Sequence, residues 1–173
     1  MEAMKKHTIS VLVENHFGVL ARVSGLFSSR GYNIISLCVG ETMDPAISRM
    51  TVVVRGDDGV LFQMMQQLNK LVEVIEVTDL TSASFIEREL VLIKVAADQT
   101  QRGEVVEIAN IFRANVVDVG PDSLTVEVTG AEGKVTACID MLRPYDIIEL
   151  VRTGEIAINR APKRDCKLPR QGV

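Results

Sequence analysis

Twice along this chain the spacing of apolar residues changes from every second position to every third or fourth and back, in the same order. Residues 8–13 are rich in β-branched side chains and end at a polar cluster, which predicts a strand. Val19, Leu20, Val23, Leu26 and Phe27 then recur at helical spacing, and Gly31 is placed to stop that helix. Segments 33–40 and 48–54 read as two strands joined by a loop holding Asp44 and Pro45. Leu61, Met64, Met65, Leu68, Leu71 and Val72 form another helical stripe, and 74–78 closes the series as a strand. The order is βαββαβ, the split βαβ arrangement of ferredoxin-like folds.

The same order returns in the second half. Segment 90–96 reads as a strand, and Val105, Ile108, Ala109 and Phe112 mark a helix. Segments 116–119 and 123–128 form a hairpin across Gly120, Pro121 and Asp122. Val135, Cys138, Ile139 and Leu142 mark a further helix, after which 147–151 and 155–158 supply the last strand, interrupted at Gly154. The expected fold class is α+β, with two ferredoxin-like units over 1–80 and 89–159, a polar linker at 81–88 and a mobile basic tail at 160–173. The halves share element order and not sequence.

Composition narrows the function. At 173 residues and 47% hydrophobic content, the chain can build two small cores. Its 19 basic residues are outnumbered by 23 acidic ones, and with two Tyr and no Trp it lacks the basic face and stacking aromatics of a nucleic-acid partner. No apolar run approaches the roughly 18 residues of a membrane span, and the first six residues are too short and polar for a signal peptide. A cytoplasmic location with no membrane association is therefore expected. Cys38, Cys138 and Cys166 are scattered and far from His7 and His16, an arrangement that suits a reducing compartment and not a structural metal. No nucleophile elbow, P-loop or HExxH motif is present. Glu104, Glu107 and Asp118 read as solvated or turn residues and Met64 and Met65 as core, so no catalytic site is expected.

One stretch, VENHFGVLARVSGLFSSRGYN, joins the first strand to the first helix. Gly18 lets the backbone approach a ligand, and the helix start behind it offers unpaired N–H groups and the positive end of the helix dipole. The alternative is that Gly18 only makes the turn. In the ferredoxin-like strand order 4-1-3-2, segment 33–40 is an edge, and NIISLCVG carries no proline, lysine or charge to protect it. Antiparallel pairing with a second copy would remove that edge and make a homodimer; a loop or the second unit covering it is the alternative. The first two strands run parallel, so Asn33 lies at the far end of its own sheet from the 15–18 loop. Reversal of the partner strand brings the Asn33 of a second copy to that loop. N–H groups of Gly18, Val19 and Leu20 would then hold a carboxylate and Asn33 an ammonium, while Val19, Leu20 and Ile34 leave room for an aliphatic side chain. Those are the parts of an α-amino acid. The dipole contributes about 0.3–2 kcal/mol, so hydrogen bonds and excluded water must supply the rest.

With these residues in hand, the chain resembles the small regulatory subunits of acetolactate synthase, also called acetohydroxyacid synthase. The likeness is carried by HTISVLVEN, GVLARVSGLFSSRGYNIISL, SRMTVVV, QLNKLVEVIEV, EREL followed by LIKV, IFRANVVDV and RTGEIA, and it spans nearly the whole chain. It implies an N-terminal ACT domain, a βαββαβ module that binds amino acids, followed by a second ferredoxin-like domain. It also implies feedback control of a separate catalytic large subunit in valine, leucine and isoleucine synthesis. That subunit uses thiamine diphosphate, magnesium and usually FAD; the small subunit carries no cofactor. The effector, commonly valine, lies between two ACT domains, and the family's binding positions fall on Asn15, Gly18, Val19 and Leu20 of one chain and Asn33 and Ile34 of the other. Phe17 stands where many ACT loops have proline or a small residue. A methylene is worth only about 1–3 kcal/mol in an apolar pocket, which leaves the three branched-chain amino acids as one class of effector. A free-standing amino-acid sensor with another partner is the alternative reading.

Overall fold

The computed structural model describes residues 5–161. The first unit runs β1 (Lys5–Glu14), α1 (Val19–Ser29), β2 (Ile34–Glu41), β3 (Ile47–Gly56), α2 (Asp58–Leu68) and β4 (Val74–Asp79). Its four-stranded antiparallel-paired sheet has the order β2-β3-β1-β4, so β2 is an edge and runs parallel to β1. The second unit runs β5 (Phe85–Ala96), α3 (Arg102–Ile111), β6 (Asn115–Val119), β7 (Ser123–Gly130), α4 (Glu132–Leu142), β8 (Ile147–Arg152) and β9 (Ile156–Asn159). Its order is β6-β7-β5-β8, with β9 also pairing β5. The α+β class and the repeated βαββαβ order follow the sequence reading.

Each helix pair covers one face of its sheet. Ile9, Val11 and Val13 of β1 meet Val19, Val23 and Phe27 of α1 and Leu61, Met64 and Leu68 of α2 in one core. Val91, Ile93 and Val95 of β5 meet Val105, Ile108, Val135 and Leu142 in the other. Helix α1 stops at Gly31 as expected. With Gly31 left-handed (φ 70°), Gly31 N–H donates to the Ser28 carbonyl and Tyr32 N–H to that of Phe27, which closes the last turn as a Schellman motif.

Three expectations are corrected. The second apolar stripe does not stay helical to Val72: α2 ends at Leu68, and three-residue turns from Gln67 and Leu68 return Leu71 to the core and leave Val72 exposed. The segment 81–88 is not all linker. Residues 85–88 are the start of β5, because their polar-looking alternation pairs with β9 beyond the end of the main sheet. The basic tail keeps Arg160 tied back, its N–H to the Ser84 carbonyl and its Nε to that of Phe85; the remainder of the tail, 162–173, lies outside the described residues.

The two units are packed together. The open face of the first sheet buries Thr8, Ser10, Thr51 and Val53, none of which belongs to the helix-side core. Strand β9, with Ala157 buried, lies against β1 on that side.

Candidate functional site

The β1–α1 connection is held from below. Asn15 N–H donates to the Ala46 carbonyl (2.7 Å), and its side-chain amide donates to the Pro45 carbonyl (2.9 Å) and to Glu41 (3.1 Å). These bonds staple the loop to the β2–β3 turn. Gly18 caps α1 in the left-handed conformation (φ 91°, ψ −12°). A Cβ built on it meets nothing within 4 Å, so its backbone angle and not crowding calls for glycine.

Beyond Gly18 the helix start is open. Val19 N–H reaches the His16 carbonyl at 3.5 Å, while the N–H groups of Leu20 and Ala21 have no acceptor among the described residues. Of the four α-helices among the described residues, α1 alone lacks both a capping side chain and an acidic residue in its first turn. The contrast with α3 is direct. There the Asp98 carboxylate accepts from Thr100 N–H (2.8 Å), Gln101 N–H (3.0 Å) and the Thr100 hydroxyl (2.6 Å). Those bonds, the hydroxyl's first, hold the Asp98 carboxyl below the usual carboxylate range. In the second unit, then, one of the chain's own carboxylates occupies the turn that leads into its first helix, where the corresponding turn of the first unit carries none.

The side chains divide as follows. Val19 is buried in the core and offers the site only backbone. Leu20 is 45% exposed and free to contact a ligand. Ile34 packs partly against its own core, because a bulge at Ile35 lets Ile34 and Leu37 face the same side. Of the three residues expected to leave room for an aliphatic side chain, Val19, Leu20 and Ile34, Leu20 is the one whose side chain is exposed in a single chain. Asn33 is exposed, at the opposite end of the sheet: Ile34 lies level with Val54 and His7, seven residues from Glu14, or roughly 23 Å at about 3.3 Å per residue. One chain does not bring Asn33 to Gly18. Nearby, the buried Glu73 carboxylate pairs with Arg22 of α1, and Glu14 pairs with His16 at 3.1 Å.

Comparison with known proteins gives two family matches. Residues 9–76 match the acetohydroxyacid synthase small subunit-like ACT domain, and residues 88–161 match the small subunit of acetolactate synthase. A probable acetolactate synthase small subunit of Archaeoglobus fulgidus is 58% identical over 159 residues, 92% of this chain and 99% of that protein. The chain belongs to the acetolactate synthase small subunit family. The Mycolicibacterium smegmatis member is 50% identical over 91% of this chain and 92% of its own. The crystal structure of the Thermotoga maritima small subunit superposes with a TM-score of 0.83 at 41% identity, covering 91% of this chain and 98% of that one.

Inspection of the sequence missed a polar junction between the two units. Lys6 of β1 pairs with Glu155 and, at 2.8 Å, with Glu132. Arg152 pairs with the buried Glu89 at 3.2 Å. These groups, with Ser36 and Gly154, line a cleft of about 290 Å³. Burial chiefly pushes the Glu155 carboxyl up, against the pull of Lys6. For Lys6, burial opposes the charge but is outweighed by its two carboxylate partners, so its pKa ends raised. Partners 149 residues apart leave no local pattern to read.

Proposed function

We propose that this chain is the regulatory subunit of an acetolactate synthase. In this reading it binds a branched-chain amino acid, valine first among them, and imposes feedback inhibition on a catalytic large subunit. The observation that carries the proposal is the open start of α1, where Leu20 and Ala21 N–H groups face outward beside a left-handed glycine in an ACT unit. The effector's carboxylate would take those donors, and Asn33 of a second copy, aligned through β2, would receive the ammonium. Asn15 would act by holding the loop, with its side-chain oxygen facing the ligand. The large subunit, with thiamine diphosphate, magnesium and FAD, would join two pyruvates or pyruvate with 2-oxobutanoate, and both would work in the cytoplasm.

The test is reconstitution. The pure chain, given pyruvate and all three cofactors, should form no acetolactate. Added to the large subunit, it should raise activity or make it sensitive to valine, leucine or isoleucine. Turnover by the pure chain, or no effect on the large subunit, would overturn the reading; amino-acid binding without such an effect would favour the free-standing sensor.

A further inference from the structure

The short segment joining β8 to β9 does not simply bridge two strands. Thr153 stays on β5, its N–H donating to the Leu90 carbonyl (3.1 Å) and its hydroxyl accepting from Leu90 N–H (3.2 Å). Gly154 then turns left-handed (φ 84°) and the chain arches onto β2 of the first unit, where Glu155 N–H donates to the Ser36 hydroxyl (3.0 Å). The approach is close. A Cβ at Gly154 would lie 2.7 Å from Ser36 Oγ and 3.4 Å from the Leu37 carbonyl oxygen.

The same arch is pinned to β1 by the Lys6–Glu155 pair, and Lys6 also holds Glu132 at the start of α4. The two anchors differ in stiffness. β1 is a central strand, paired on both sides and buried on both faces from His7 to Val11. Within one chain β2 has a single neighbour, β3, a bulge at Ile35 and no fully buried residue, and its other side is the one offered to the second copy of the proposed dimer. A load applied at Asn33, at the start of β2, would act on β2 directly and on β1, held in its own core, only through β3. The second unit, fixed at Lys6 and touching β2 at Ser36 and Leu37, would register that difference as a tilt.

We infer that the arch of Thr153, Gly154 and Glu155 is the coupling element that passes the state of β2 to the C-terminal unit. The inference rests on the proposed effector function and adds the route by which occupancy of the site leaves the ACT unit. The contacts it draws on are contiguous, from β2 at Ser36 through Glu155 and Thr153 to β5 of the C-terminal unit.

Two variants test it in the full chain, reconstituted with the large subunit: Ser36→Ala, which removes the acceptor for Glu155 N–H, and Gly154→Ala, which forces the arch off β2. Ser36→Ala is the milder, so a folding failure of the second does not end the test. Calorimetry with valine should give both variants dissociation constants within about twofold of the unmodified chain. Uninhibited activity of the holoenzyme should be unchanged. The valine concentration for half-inhibition should rise by about tenfold, or maximal inhibition should collapse, in the range of ordinary coupling energies. Variants that bind valine and remain inhibited as before would overturn the inference, as would variants that lose binding itself. Failure of the unmodified chain to bind or to confer sensitivity would refute the functional proposal and this inference with it, and is read in a different protein.

Discussion

Gly18 and Glu155 show what single residues contribute and how differently they can be read. At Gly18 only the backbone angle is demanding, so Gly18→Ala should destabilise by about 1 kcal/mol in thermal or denaturant unfolding and leave binding nearly intact. Gly18→Asp adds a carboxylate where the ligand's would lie. It should abolish effector binding while the complex with the large subunit still forms in a pull-down; a lost complex would mean that Gly18 serves folding instead. Glu155 gives a pH dependence. Its pKa is raised from 4.5, so between that value and the raised one the folded protein keeps a proton that the unfolded chain has released. Stability therefore falls as pH rises through that window. Melting curves across a pH series should show this slope reduced in Glu155→Gln, and an unchanged slope would contradict the assignment. Gly18 and Gly31 were legible because helix starts and stops are local events. Lys6 and Glu155 were not, since their pairing exists only once two units have docked.

At the scale of elements, the alternation of β1, β3, β5 and β7 and the stripes of α1, α3 and α4 were readable because each buries one regular face. The end of α2 was misread where turn geometry, and not apolar spacing, decides which way Leu71 and Val72 face. The first residues of β5 looked like a linker because their partner, β9, comes some seventy positions later. The bulge at Ile35 also leaves no mark in the sequence, and it turns Ile34 partly toward its own core. Comparison of α1 with α3 yields a prediction at this scale. Asp98→Ala should lower the melting temperature by loosening the turn that leads into α3, and acid should do the same to the unmodified chain. The sign follows from a folded pKa below 3.8: the stabilisation is present above that value and lost as pH falls through the lowered one.

In the whole molecule, the two repeated units could be counted from the sequence, but their mutual burial could not. The open face of the first sheet carries Thr8, Ser10 and Thr51, small polar residues that look solvent-facing and are buried at the contact between units. A fragment ending near residue 80 should consequently expose Val53 and this polar face, and melt at lower temperature or associate more strongly than the full chain. An equal melting temperature would mean that the units are independent. Assembly of two chains completes the proposed site, because Asn33 and Gly18 lie at opposite ends of one sheet. Mixing Gly18→Asp chains with Asn33→Ala chains, each unable to bind valine alone, gives dimers separable by two tags. In such a dimer one site carries both lesions, while the other joins the intact loop of the Asn33→Ala chain to the intact Asn33 of the Gly18→Asp chain. Calorimetry on the purified mixed dimer should recover one valine site per dimer with near-normal affinity, whereas no recovered binding would contradict a site shared between chains.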